Sequence, residues 1–109
     1  MAMDDELARN QRFLRETEQA IRLTNNEVIH KQVPPITSER MLTFSVAIAK
    51  LRAQYIESAF TFADANHNEE GDDAEEIKEL ELRRRRFEEA RDAFIALQRA
   101  IELGYMAVE

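Results

Sequence analysis

Residues 37–65 read TSERMLTFSVAIAKLRAQYIESAFTFADA, and this stretch decides the fold because it carries two apolar stripes at helical spacing. The first apolar stripe consists of Met41, Phe44, Ile48, Leu51, Tyr55, Ala59 and Phe62. The second apolar stripe, about a hundred degrees round the helix, consists of Leu42, Val46, Ala49, Ala53, Ile56, Phe60 and Ala63. A helix with so little polar surface must lie between at least two partners, which can come from this chain or from another copy.

Composition limits the remaining possibilities. The chain has 109 residues, which suits one domain with a modest core, and its two glycines and two prolines predict few, long elements. It has no cysteine, which excludes disulfides, zinc–thiolate sites and thiol catalysis and is compatible with a reducing compartment. The first residues are acidic and polar where a secretory signal would be basic and then apolar, so we expect a cytoplasmic protein with no membrane partner.

All three long segments show three-to-four-residue periodicity and none shows sustained two-residue alternation, so the sequence predicts an all-α protein. We expect helices near residues 4–32, 38–65 and 73–103 within a single helical domain of residues 1–109. Together they predict an elongated antiparallel bundle of three long helices that is completed by oligomerisation. The first helix carries a seven-residue apolar repeat of the coiled-coil type at Leu7, Leu14, Ile21 and Val28.

The helix ends have recognisable signals. Pro34 and Pro35 form a joint after the first helix, because proline lacks an amide donor and restricts the residue before it. Thr37 or Ser38 can cap the second helix. Gly104 is well placed just beyond the end of the third, and the apolar residues after it can fold back over the bundle.

The net charge of −7 is concentrated in one region. Residues 64–81 contain nine acidic residues and one lysine, which leaves the rest of the chain nearly neutral. We expect a solvent-exposed acidic hairpin tip at residues 64–76.

The acidic tip partly resembles the calcium loop of an EF-hand. Oxygen-bearing side chains occupy positions one, three, five, seven, nine and twelve of such a loop, at Asp64, Asn66, Asn68, Glu70, Asp72 and Glu75. The sixth position, which requires glycine for its sharp turn, is Glu69, and the eighth, normally apolar, is Gly71. We therefore expect no metal site, and a hairpin that responds to a divalent cation or another effector is the alternative function. Its weak candidate ligands are Asp64, Asn66, Asn68 and Glu75.

Two further motifs resemble functional sites, but their helical geometry argues against both functions. Glu27-x-x-His30 resembles the Glu-x-x-His step of di-iron helical bundles, but both side chains should point away from the Val28 face, so we expect no cofactor. Residues 83–86 are four consecutive arginines, which span about 300° of a helix and cannot form one patch. Because Glu79 and other acids stand four residues from them, we expect no nucleic-acid binding. A nucleic-acid-associated protein, or an acidic mimic of nucleic acid, is a further alternative.

We expect no enzyme, because the sequence has no phosphate loop, nucleophile elbow, plausible triad or paired buried carboxylates. It favours a non-enzymatic helical interaction module, such as an oligomeric adaptor, regulator or inhibitor, that forms a homodimer and can bind another protein. The expected interface residues are Phe44, Ile48, Leu51, Tyr55 and Phe62. The pattern leaves open which apolar stripe is internal, and whether the first helix packs on its own chain or on a neighbour.

Overall fold

The computed structural model describes residues 2–66 and 73–109. These residues form three α-helices, α1 (Ala2–Gln32), α2 (Ser38–Asn66) and α3 (Ala74–Glu102), and contain no strand. The all-α prediction is confirmed, and each helix begins and ends within two residues of its expected limits. Residues 67–72, which make up much of the expected acidic tip and include Asn68, lie outside the described residues.

The helix boundaries follow from local chemistry. The Val33 amide donates to the Ile29 carbonyl at 2.7 Å in the last turn at the end of α1, and Pro34 cannot continue this ladder because it has no amide hydrogen. Thr37 stands immediately before α2 and Asp73 immediately before α3, both residue types that are favoured as N-caps. The Asp73 carbonyl accepts the first bond of α3, from the Ile77 amide at 2.9 Å.

The end of α3 is a Schellman motif built on Gly104. The Tyr105 amide donates to the Ala100 carbonyl at 2.8 Å, and the Gly104 amide donates to the Ile101 carbonyl at 3.0 Å. Gly104 has a φ of 75°, a backbone conformation that residues with a Cβ rarely adopt. A Cβ at this position would also lie 2.9 Å from Cδ of Arg22. The glycine therefore ends the helix where the sequence predicted.

The chain divides into two compact units, Met1–Thr37 with Gln98–Glu109 (unit 1) and Ser38–Leu97 (unit 2). In unit 1 the C-terminal tail lies against the proline joint. The Ile36 amide donates to the Ala107 carbonyl at 2.9 Å, and the Glu109 amide donates to the Ile36 carbonyl at 2.8 Å. Ile36 is 5% exposed, so the side chain at this contact is buried.

In unit 2, α2 and α3 form an antiparallel hairpin. Phe44 of α2 packs on Phe94 of α3 with ring centroids 5.3 Å apart, and further along α2 the Tyr55 ring lies 6.1 Å from that of Phe87. The residue numbers of the α3 contacts decrease as those on α2 increase, so the two helices are antiparallel. Ile48, between the two aromatic residues on the same stripe, is 6% exposed.

Candidate interaction surface

The five expected interface residues lie on the α2 stripe that forms the hairpin contact with α3. Ile48 is buried, and the other four, Phe44, Leu51, Tyr55 and Phe62, are partly buried. Edge-to-face and tilted aromatic pairs such as Phe44–Phe94 and Tyr55–Phe87 add to the stability that apolar burial supplies. The first apolar stripe is therefore the internal one within this chain, and an interface role for its residues stays a prediction.

The second apolar stripe of α2 is exposed. Its large side chains are 43–65% exposed, at Leu42, Val46, Ile56 and Phe60. The alanines between and after them, Ala49, Ala53 and Ala63, are exposed as well. One straight helix covers only one side of another, and the second apolar stripe is about a hundred degrees away from the side that α3 covers. The apolar surface of α2 that stays exposed is thus the second stripe, whereas the five expected interface residues all belong to the first.

Helix α1 presents a separate apolar surface in unit 1. The four side chains of its seven-residue repeat, at Leu7, Leu14, Ile21 and Val28, are 45–58% exposed. Helix α1 contacts the tail between Ile21 and Val28, where Asn26 Nδ2 donates to the Gly104 carbonyl at 3.2 Å. Positions three residues after each repeat residue are polar, so this surface is apolar only at every second layer.

A cavity of about 550 Å³, lined by polar and charged residues, lies between α2 and α3 near the loop that joins them. Four glutamates line it, at Glu57, Glu75, Glu76 and Glu79. Arg83 also lines it and donates to Glu79 Oε1 at 2.6 Å and to Gln54 Oε1 at 2.8 Å. Its guanidinium group is thus already bound by two side chains of its own chain.

Of the weak candidate cation ligands, Asp64 and Asn66 lie in the last turn of α2, Glu75 lies in the first turn of α3, and Asn68 is outside the described residues. Within residues 2–66 and 73–109, no group of three or more His, Cys, Asp or Glu side chains is arranged to hold a metal ion.

The other two motifs can be placed directly. Glu27 forms an ion pair with Lys31 at 3.6 Å, and its side chain is 72% exposed, so the Glu-x-x-His step lies on a solvated face as expected. Among the four arginines, Arg83 pairs with Glu79 at 2.6 Å, as the four-residue spacing of these two residues predicted. The remaining three, residues 84–86, are exposed.

Sequence reasoning missed the two cations on Phe87. The guanidinium carbon of Arg52 lies 5.1 Å from the centroid of this ring, and that of Arg91 lies 5.5 Å from it. The four-residue spacing of Phe87 and Arg91 was a usable signal, whereas the Arg52 contact depends on how α2 pairs with α3. Arg52 is thereby held at the edge of the hairpin contact.

Across the described residues, no helix is long and apolar enough to cross a membrane. Comparison with known proteins gives no relative: no family model, no curated protein and no solved structure matches the chain.

Proposed function

We propose that this protein is a non-enzymatic helical interaction module that binds its partner through the second apolar stripe of α2. The observation that carries the proposal is the exposure of Leu42, Val46, Ile56 and Phe60 along one line of a helix whose other apolar stripe is already packed. Monomeric proteins rarely expose contiguous apolar patches larger than a few hundred Å², and larger patches mark sites of protein association. A partner that covers the stripe would remove these side chains from water.

The shape of the surface favours a helical partner. The large side chains of the stripe are spaced alternately four and three residues apart once Ala49 and Ala53 are included, which is the spacing that packs knobs into holes on a facing helix. The two alanines lie at the middle of the stripe and permit close approach of a second helix axis, toward the short end of the usual range of about 8–10 Å.

The cavity between α2 and α3 is a weaker candidate for the binding surface. Its arginine is already bound to Glu79 and Gln54, and four glutamates line it. The second apolar stripe, by contrast, consists of exposed apolar side chains that a partner would remove from water.

Photo-crosslinking in the native host cell tests the proposal. The photo-crosslinking amino acid p-benzoylphenylalanine is placed at position 56. Position 95 is the matched control, because Ile95 on α3 is 53% exposed and Ile56 is 49% exposed. We expect a discrete covalent protein adduct from position 56, none from position 95, and loss of the adduct when Val46→Glu is added. Equal adducts from both positions, or an adduct that survives Val46→Glu, would overturn the proposal.

A further inference from the structure

The second apolar stripe shows nearly the same residue pattern whether it is read from its N-terminal or its C-terminal end. Its residues form pairs that are equally distant from position 51: Leu42 with Phe60, Val46 with Ile56, and Ala49 with Ala53. The two members of each pair are similar in kind, with large side chains toward the ends and alanine at the centre. All six residues are exposed.

A twofold axis makes use of this symmetry. When two copies of one helix pack antiparallel about such an axis, residues equally distant from the axis lie opposite each other. With the axis level with position 51, Leu42 of each copy would meet Phe60 of the other, and Val46 would meet Ile56. The alanines would meet at the centre, where close approach of the helices requires small side chains.

We infer that the partner that covers the second apolar stripe is a second copy of this chain, packed α2 against α2 in antiparallel register centred on position 51. The inference rests on the proposed function and names its partner. Binding to an unrelated helix does not require a symmetric stripe, whereas a twofold interface requires a self-complementary surface.

Helix α1 is a poorer occupant of the same surface. Its apolar residues recur only every seven positions, with Asn10, Thr17 and Thr24 at the layers between. The second apolar stripe is apolar at every layer from Leu42 to Phe60, so α1 would place polar side chains against half of these layers. A second α2 places an apolar side chain at each of them.

The contact would be modest in extent. The stripe from Leu42 to Phe60 is about 27 Å long at 1.5 Å per residue, and a single helix pair of this length falls in the class of interfaces below about 1,200 Å². We therefore expect reversible association with a dissociation constant on the order of micromolar.

Single cysteines test the register, because the chain has no cysteine of its own. Glu39 and Ala63 continue the stripe by one layer beyond each end and are equally distant from position 51. They are about 36 Å apart along one helix. In the antiparallel register each lies opposite the other on the partner copy, whereas two copies of either residue lie far apart.

We expect an equimolar mixture of Glu39→Cys and Ala63→Cys proteins to form a disulfide-linked dimer under mild oxidation at least tenfold faster than either protein alone. Adding Ile56→Glu to both proteins should abolish the difference, and adding Ile95→Glu should preserve it. Equal or faster linkage within either single variant would indicate a parallel or nonspecific contact and would overturn the register.

The disulfide and photo-crosslinking experiments together separate the two proposals. If the mixture does not link at high micromolar concentration while position 56 still gives an adduct to a different protein in cells, the second copy is excluded and the interaction module stands. If neither experiment gives a specific product, both proposals fail.

Discussion

The ring of Phe44 on α2 meets the ring of Phe94 on α3 edge to face, with 5.3 Å between the centroids and 61° between the ring planes. This contact, with that of Tyr55 and Phe87, fixes which stripe of α2 is turned toward α3. The second apolar stripe is left exposed as a direct result. The aromatic contacts inside the hairpin thus determine which apolar stripe of α2 is exposed.

Replacing Phe44 and Phe94 by leucine, singly and together, should show that the two rings stabilise each other. We expect each single change to lower the free energy of unfolding by about 1–2 kcal/mol, because the rings are partly buried. The coupling energy of the double change should be about 0.5–1.5 kcal/mol. Urea unfolding measures both quantities. Phe13→Leu, at a ring that is 67% exposed, is the control and should change little. Additive effects would show that the rings act independently.

Gly104→Ala should destabilise the protein by about 1–2 kcal/mol, because a residue with a Cβ must adopt a positive φ there. The observed φ of Gly104 is 75°, and the new Cβ would crowd Arg22. Gly104→Asn is the control and should cost less, since asparagine tolerates this conformation better. Thermal unfolding of the three proteins checks the order. An alanine variant as stable as the wild type would mean that the last turn can end without the Schellman motif.

Ile36→Ala should lower the free energy of unfolding by about 2–3 kcal/mol, because it removes a buried side chain at the centre of the contact between joint and tail. Val108→Ala is the matched change on the partner segment, and we expect less than about 1 kcal/mol because Val108 is 59% exposed. Hydrogen exchange at the Glu109 amide, which donates to Ile36, should become faster in the first variant. Unchanged exchange there would show that the tail is held by other contacts.

Millimolar calcium should leave the melting temperature unchanged. A ligand specific to the folded state must raise it, and the described residues contain no group of three or more His, Cys, Asp or Glu side chains that could hold a metal ion. A saturable rise that disappears in Asp64→Asn and Glu75→Gln, but not in Glu16→Gln on α1, would instead support the cation-responsive hairpin.

The helices could be predicted from the sequence because each boundary has a local cause. The joint at Pro34 and Pro35 depends on the chemistry of proline, and the end of α3 depends on a glycine that accepts a positive φ. The exposed stripe could not be chosen in advance, because both stripes of α2 are apolar along their length. The choice is made by partners distant in sequence, Phe87 and Phe94, whose pairing with α2 depends on the packing of the hairpin.

Molar mass by light scattering across a wide concentration range, for the wild type, Ile56→Glu and Ile95→Glu, tests self-association through the second apolar stripe most directly. We expect the wild type and Ile95→Glu to approach twice the 12.7 kDa of one chain at high micromolar concentration. Ile56→Glu should remain at the mass of one chain with unchanged helix content, because the substituted side chain is exposed on α2. A wild type that stays at 12.7 kDa throughout, or an Ile56→Glu protein that still doubles its mass, would contradict the account.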